Sequence, residues 1–303
     1  MLGQQTAQPR AGPAGVRDMA GKAAAENFPV ALRLLPRRYR DHLMAVYTFA
    51  RTVDDIGDEA PPGQRLALLA DLRDDLERLY AGLPGSRGAT ADLDGTAGQP
   101  RDPAVRGLAG VVIDCAVPAQ PFRDLIAANE QDQVVSRYET FDDLLGYCTL
   151  SANPVGQIVL HVFGCSTPGR AELSDSICSG LQVVEHLQDV AEDFRSGRVY
   201  LPLADLRRHG CTEADLARPS ASPQLRRLIA AEAIRAGELI SEGSPLVGEL
   251  SGAARAAVAG YVAGGRAALA AIAKARYDVL AATPRPSKIR TVGLLLGVLA
   301  RGR

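Results

Sequence analysis

The chain has 303 residues and a mass of 32.0 kDa, with 47% apolar and 23% charged residues. That is the mix of a globular protein long enough to bury a real core. Lys+Arg is 34 against Asp+Glu 35, for a net charge of −1. This balance argues against a polyanion binder, and so against nucleic acid as a partner, while leaving room for a local basic patch.

Residues 1–20 are rich in Gly, Ala, Pro and Gln and read as a disordered tail, without the apolar h-region of a secretory signal. From residue 21 to 303 the pattern is that of one helical domain. Pro36 opens a helix over Arg37 to Asp58, with apolar residues at Leu43, Val46, Tyr47, Ala50 and Val53. Pro61 and Pro62 open a second helix, QRLALLADLRDDLERLY. The stretch 83–103, LPGSRGATADLDGTAGQPRDP, has almost no large apolar residue and reads as a surface loop inserted in the domain. Long helices are expected over Phe141 to Phe163, Leu173 to Phe194, Gln224 to Ile240 and Ala253 to Leu280. Pro154 should kink the first of these, where Ser151, Ala152 and Gly156 permit close approach of a neighbour.

No period-2 alternation, hairpin signal or internal repeat is present, so the fold class is all-α. The longest apolar run, Val292 to Ala300, spans only ~14 Å as a helix, about half a bilayer core. Flanked by Arg290 and Arg301, it suits peripheral membrane contact rather than a crossing. Five scattered cysteines, Cys115, Cys148, Cys165, Cys178 and Cys211, contain no C-x-x-C pair. They fit a reducing, cytoplasmic compartment better than a disulfide scaffold.

Two segments carry chemistry. In RTVDDIGDE, Asp54 and Asp58 are one helical turn apart and share a face. In QDVAEDFRSGRVYLP, Asp189 and Asp193 repeat the spacing, and Glu185 and Gln182 extend the stripe backwards. Like charges at this spacing repel, and a hard divalent cation bridging to phosphate oxygens offsets the repulsion. Taken alone, each pair equally describes a solvated acidic helix face. Taken together, two acidic helices facing across a bundle would hold Mg²⁺ and a diphosphate. Tyr47 and Arg51 continue the first stripe, and Arg198, after Gly197, offers a guanidinium fork to diphosphate oxygens. Intrahelical Arg–carboxylate pairing is the alternative for Arg51. Tyr147 would present its ring to a carbocation.

The segments ENFPVALRLLP, AVYTFARTVDDIGDE, DQVVSRYETFDDLLGYCTLSANPVG and GLQVVEHLQDVAEDFRSGRVYLP, in this order, resemble the squalene/phytoene synthase family. They cover most of residues 26–202. The ENFPV and SANPVG segments look most like a bacterial hopanoid-pathway subtype. The resemblance implies a class I isoprenoid synthase bundle with a central apolar tunnel and Mg²⁺ as cofactor. It implies ionisation of presqualene diphosphate, made from two farnesyl diphosphates by a sister enzyme, and capture of the cation by water as hydroxysqualene. No reductant is implied, and no G-x-G-x-x-G is present. A close alternative is head-to-head condensation of two prenyl diphosphates to presqualene diphosphate, phytoene or dehydrosqualene. A remote one is an inactive member serving as an assembly or binding protein.

Residue by residue, the resemblance makes Asp54, Asp58, Asp189 and Asp193 metal ligands. It puts Tyr47 and Arg51 near diphosphate, and Asp132 near the reacting end. Tyr147, Ala152, Val155, Gly156 and Gln182 fall along the prenyl channel. Glu185 stands where the family usually has an Asn ligand, and Ala24 and Ala25 replace a common Ser or His.

Overall fold

The computed structural model describes residues 35–83 and 99–303. The tail 1–20, Ala24, Ala25, ENFPV and most of the 83–103 loop lie outside the described residues. Thirteen α-helices and one 3₁₀ turn make up the described part, and the sole β feature there is an isolated parallel bridge between Arg137 and Val199.

Helix α1, Arg37–Glu59, starts after Pro36 as expected. It buries Leu43, Val46, Phe49 and Val53 against α2 (Arg65–Ala81), two short helices α3 (Pro103–Gly107) and α4 (Ala109–Cys115), and α5 (Ala119–Gln131). Phe49 meets Phe122 of α5 edge-on, with ring centroids 5.3 Å apart. Asp102 N-caps α3 by accepting from the amides of Ala104 and Val105. Buried Asp75 of α2 in turn accepts from the amides of Arg101 (2.6 Å) and Asp102 (2.5 Å).

The expected helix over 141–163 divides into α6 (Phe141–Ser151) and α7 (Asn153–Val162). Pro154 cannot donate to Leu150, so the hydrogen-bond ladder is interrupted and the two helices meet at Ala152. Helix α8, Pro168–Arg195, is the longest, at 28 residues. Its apolar face, Val183, Val184, Leu187 and Val190, is buried. A short α9 (Leu203–Arg208) and the 3₁₀ turn Glu213–Ala217 lead into α10, Pro223–Gly243. Helix α10 runs antiparallel to α8. Their axes approach closely because Gly180 sits on Ala236 and Ile240, while Gly243 sits on Leu173 and Ile177.

After α11 (Leu246–Glu249), α12 covers Gly252–Lys274. It stops short of the expected Leu280 because Arg276 and Tyr277 take positive φ, at 54° and 58°, ending the helix in a left-handed turn. Helix α12 is long and apolar enough to cross a membrane by length and composition, and half of that stretch is buried inside the fold. Helix α13, Lys288–Arg301, packs on α12.

Candidate active site

Both acidic pairs fall at the C-terminal ends of their helices. Helix α1 closes with Asp54, Asp55, Asp58 and Glu59, and has no basic residue in its last turn. Helix α8 closes with Asp189, Glu192 and Asp193. A helix C-terminus is already negative, so each cluster is opposed by its neighbours and by its own backbone. The fold supplies partial relief. Arg65 donates to the carbonyls of Ala60 (2.8 Å) and Asp58 (2.7 Å), and Gln133 donates to that of Gly57 (3.2 Å), satisfying the free carbonyls of α1.

Asp54, Asp58, Asp189 and Asp193 line one cavity of about 350 Å³, together with Gln182 and Glu185. Asn129 of α5 completes the first cluster by donating to Asp54 Oδ1 at 3.2 Å. Gly57 makes this possible, because a Cβ there would run into the Asn129 side chain. Asp54 stands at the solvent-accessible rim of the cavity, with its carboxyl close against surrounding protein. The surrounding protein desolvates its carboxyl and pushes it up to about 6, with Asn129 opposing and Asp58 adding to the rise. Asp189 is likewise raised, first by burial and then by Asp193 and Glu192.

Arg198 joins the two clusters. Gly197 turns the chain at φ +84°, and the Arg198 amide bonds back to the Asp193 carbonyl at 2.8 Å. Its guanidinium then reaches Asp58 Oδ1 at 2.9 Å, across to α1. Val199 continues into the bridge with Arg137, which itself forks onto Glu213 at 2.9 Å.

Behind the acids stands an aromatic wall. A Thr140–Asp143 capping box starts α6 and so sets the position of Tyr147. The Tyr147 hydroxyl donates to Asp132 Oδ2 at 2.8 Å, leaving buried Asp132 Oδ1 without a hydrogen-bond partner. Burial raises both groups above their ordinary pKa ranges. Tyr138 and Tyr200 lie 5.5 and 5.8 Å from the Tyr147 ring, and His186 stacks on Tyr200 at 3.7 Å. Such ring faces carry partial negative charge suited to a cation.

The structure thus gathers nine of the residues singled out in the sequence: Asp54, Asp58, Asp132, Tyr147, Gln182, Glu185, Asp189, Asp193 and Arg198. Five others stand elsewhere. Arg51 pairs with Asp55 at 2.6 Å and Glu59 at 3.4 Å, so its guanidinium is turned along α1 and is absent from the cavity wall. Tyr47 is half-buried further back on α1. Ala152 sits at the helix break, and Val155 packs into the α1–α5 core. Gly156 serves the crossing of α7 and α8, where an added Cβ would come within 2.6 Å of Cys178 Sγ. The cavity wall is mostly polar, with Leu125 and Ala128 as its aliphatic part. Asn129, Tyr138, His186 and Tyr200 were not singled out from the sequence.

The donors suit a hard cation in pairs instead of in a closed cage. Among the described residues no three of His, Cys, Asp and Glu converge on one point. One or two carboxylates plus phosphate oxygens is the ordinary Mg²⁺ arrangement, so these pairs fit that ion.

A family model described as squalene/phytoene synthase matches residues 22–290. The chain belongs to the squalene/phytoene synthase family. Within the family, it is 37% identical over 227 residues to the hydroxysqualene synthase of Rhodopseudomonas palustris, covering 74% of this chain and 71% of that one. It is 34% identical over 199 residues to the presqualene diphosphate synthase of the same organism, with 64% of each chain covered. The solved squalene synthase HpnC from Alicyclobacillus acidocaldarius shares 38% identity and a TM-score of 0.73, over 88% of this chain and 97% of that one. Family membership makes this an isoprenoid enzyme that processes prenyl diphosphates.

Proposed function

We propose that the chain converts presqualene diphosphate to hydroxysqualene with release of diphosphate. The carrying observation is a cavity whose mouth holds two aspartate pairs on helix C-termini and whose wall holds Tyr147, Tyr200 and His186, with Tyr138 packed behind them. The resemblance to hydroxysqualene synthases supports the same reading.

Asp54 and Asp58 on one side, and Asp189 and Asp193 on the other, would hold Mg²⁺. The ion supplies charge neutralisation of the departing diphosphate. Arg198 adds a fixed cation between the pairs, placed to bind phosphate oxygens once they displace Asp58. The carbon–oxygen bond breaks with its electron pair leaving on diphosphate. The ring faces of Tyr147 and Tyr200, backed by Tyr138, then stabilise the cyclopropylcarbinyl cation while it rearranges. A water oxygen bonds to the rearranged carbon and loses a proton, for which Asp132 Oδ1 has a free lone pair. Tyr147 holds Asp132 in place through its hydroxyl. Glu185, facing the same cavity, would add a further carboxylate to the second metal site.

The test is product analysis with Mg²⁺ and either presqualene diphosphate or farnesyl diphosphate alone. The reading expects hydroxysqualene from the first and no C30 product from the second. Presqualene diphosphate, phytoene or dehydrosqualene formed from a prenyl diphosphate alone would assign the head-to-head transferase reaction, the step in the name of the 34% identical relative. A presqualene diphosphate synthase acting upstream is the partner this reading requires.

A further inference from the structure

The last 25 residues have a charge pattern unlike the rest of the chain. After Asp278 there is no acid, while Arg285, Lys288, Arg290, Arg301 and Arg303 are all cationic, in a chain whose net charge is −1. Helix α13 occupies the middle of this stretch and is fixed in place by the fold. Leu294, Leu295, Val298 and Leu299 pack into the main core, and Arg255 donates to the Leu299 carbonyl at 2.7 Å. The opposite face carries Ile289, Val292 and Leu296, which are 87%, 56% and 63% exposed. Single exposed aliphatics are ordinary, but three at helical spacing between cationic ends form one continuous stripe.

We propose that α13 seats the protein on an anionic lipid bilayer surface, lying in the interface with Ile289, Val292 and Leu296 inserted among the acyl chains. The cations at both helix ends complement anionic headgroups, which is the pattern of an interfacial amphipathic helix. A second copy of the chain is a poorer occupant. A symmetric contact would set the same five cations against themselves. The segment leading into the helix also touches the cavity-bearing helix. Gln188 of α8 donates to the Pro284 carbonyl, and Arg285 places its charge near Asp189. The lipid-facing segment is thus tied directly to the helix that carries Asp189 and Asp193. The lipid contact stands or falls separately from the identity of the reaction.

The test sediments the full chain with vesicles of phosphatidylcholine containing roughly one-third phosphatidylglycerol, and with phosphatidylcholine alone. Binding is expected to the anionic vesicles only and should be lost near ~1 M salt, where charges are screened within about 3 Å. Lys288→Gln/Arg290→Gln should lower partitioning by roughly 25-fold, about fivefold per cation. Ile289→Ser/Leu296→Ser should abolish binding with an unchanged melting temperature, since both side chains are exposed. Absence of binding, equal binding to neutral vesicles, or binding indifferent to both double variants would overturn the proposal. So would a solution dimer that Ile289→Ser/Leu296→Ser dissociates, because the stripe would then be a subunit contact.

Discussion

Asp54→Asn isolates the electrostatic cost built into the mouth of the cavity. The Asn side chain is isosteric and keeps an oxygen for the Asn129 amide, so packing against Gly57 is unchanged. The carboxyl is held at about 6 against an ordinary 3.8, chiefly by burial, which bounds the cost of ionising it at about 3 kcal/mol. Asp54 is open to cavity water, and screening there reduces the figure to about 1–2 kcal/mol. The sign follows from proton linkage. The folded chain holds this proton more tightly than the unfolded one, so wild-type stability falls as pH rises from about 4 to about 6. The penalty is then constant. In EDTA the variant should therefore match wild type near pH 4 and melt about 2–4 °C higher at pH 8. Adding Mg²⁺ and inorganic diphosphate should reverse the order, because ligand binding stabilises wild type by mass action and the variant less. Turnover of the variant should fall at least about 100-fold. The reasoning fails if Asp54→Asn is less stable than wild type at pH 8 in EDTA, or if the difference between them does not change with pH.

Tyr147→Phe should retain the melting temperature within about 2 °C, since the ring stays packed, yet lower kcat by about tenfold or more by releasing Asp132; equal kcat would leave the hydroxyl without a chemical role. Gly243→Ala should cost about 2–3 kcal/mol in urea unfolding, because its Cβ would meet the Ile177 backbone nitrogen at 2.9 Å and main chain cannot rotate away. Glu232 is buried beside Arg235 at 3.1 Å and pushed up to about 7, first by burial, so wild-type stability should decline as pH rises from about 5 to 8. Glu232→Gln should flatten that decline, as read from melting temperatures across the range; parallel profiles would show that Arg235 already neutralises the group.

Much of the fold was legible because its long helices are amphipathic with clear boundaries. Pro36 and the spacing from Leu43 to Val53 gave α1 to within a residue, and the stripe Gln182–Glu185–Asp189–Asp193 gave the polar face of α8. The same periodicity could not separate residues on the stripe that enter the cavity from those that pair sideways. Arg51 is one turn from Asp55 as surely as from Asp54 and Tyr47, and its closest contact is the former. The helix over Ala119–Gln131 was not read from the sequence, and Asn129 near its end carries no charge to mark it beside the acidic stripes. Tyr138 and Tyr200 stood in plain view in SRYET and RVYLP. They lie in irregular chain, and the Arg137–Val199 bridge and the neighbouring backbone bonds bring them beside Tyr147. At the helix break the sequence showed small residues and a proline but could not say whether they make room for a ligand or for another helix. Gly156 makes room for α8.

The reach of Arg198 from the end of one helix to Asp58 on another has a bearing on handling the enzyme. A positively charged strut that belongs to the polypeptide braces the rim whether or not a metal ion is bound there. Protein kept in chelator should consequently store without collapse and need no refolding step before use.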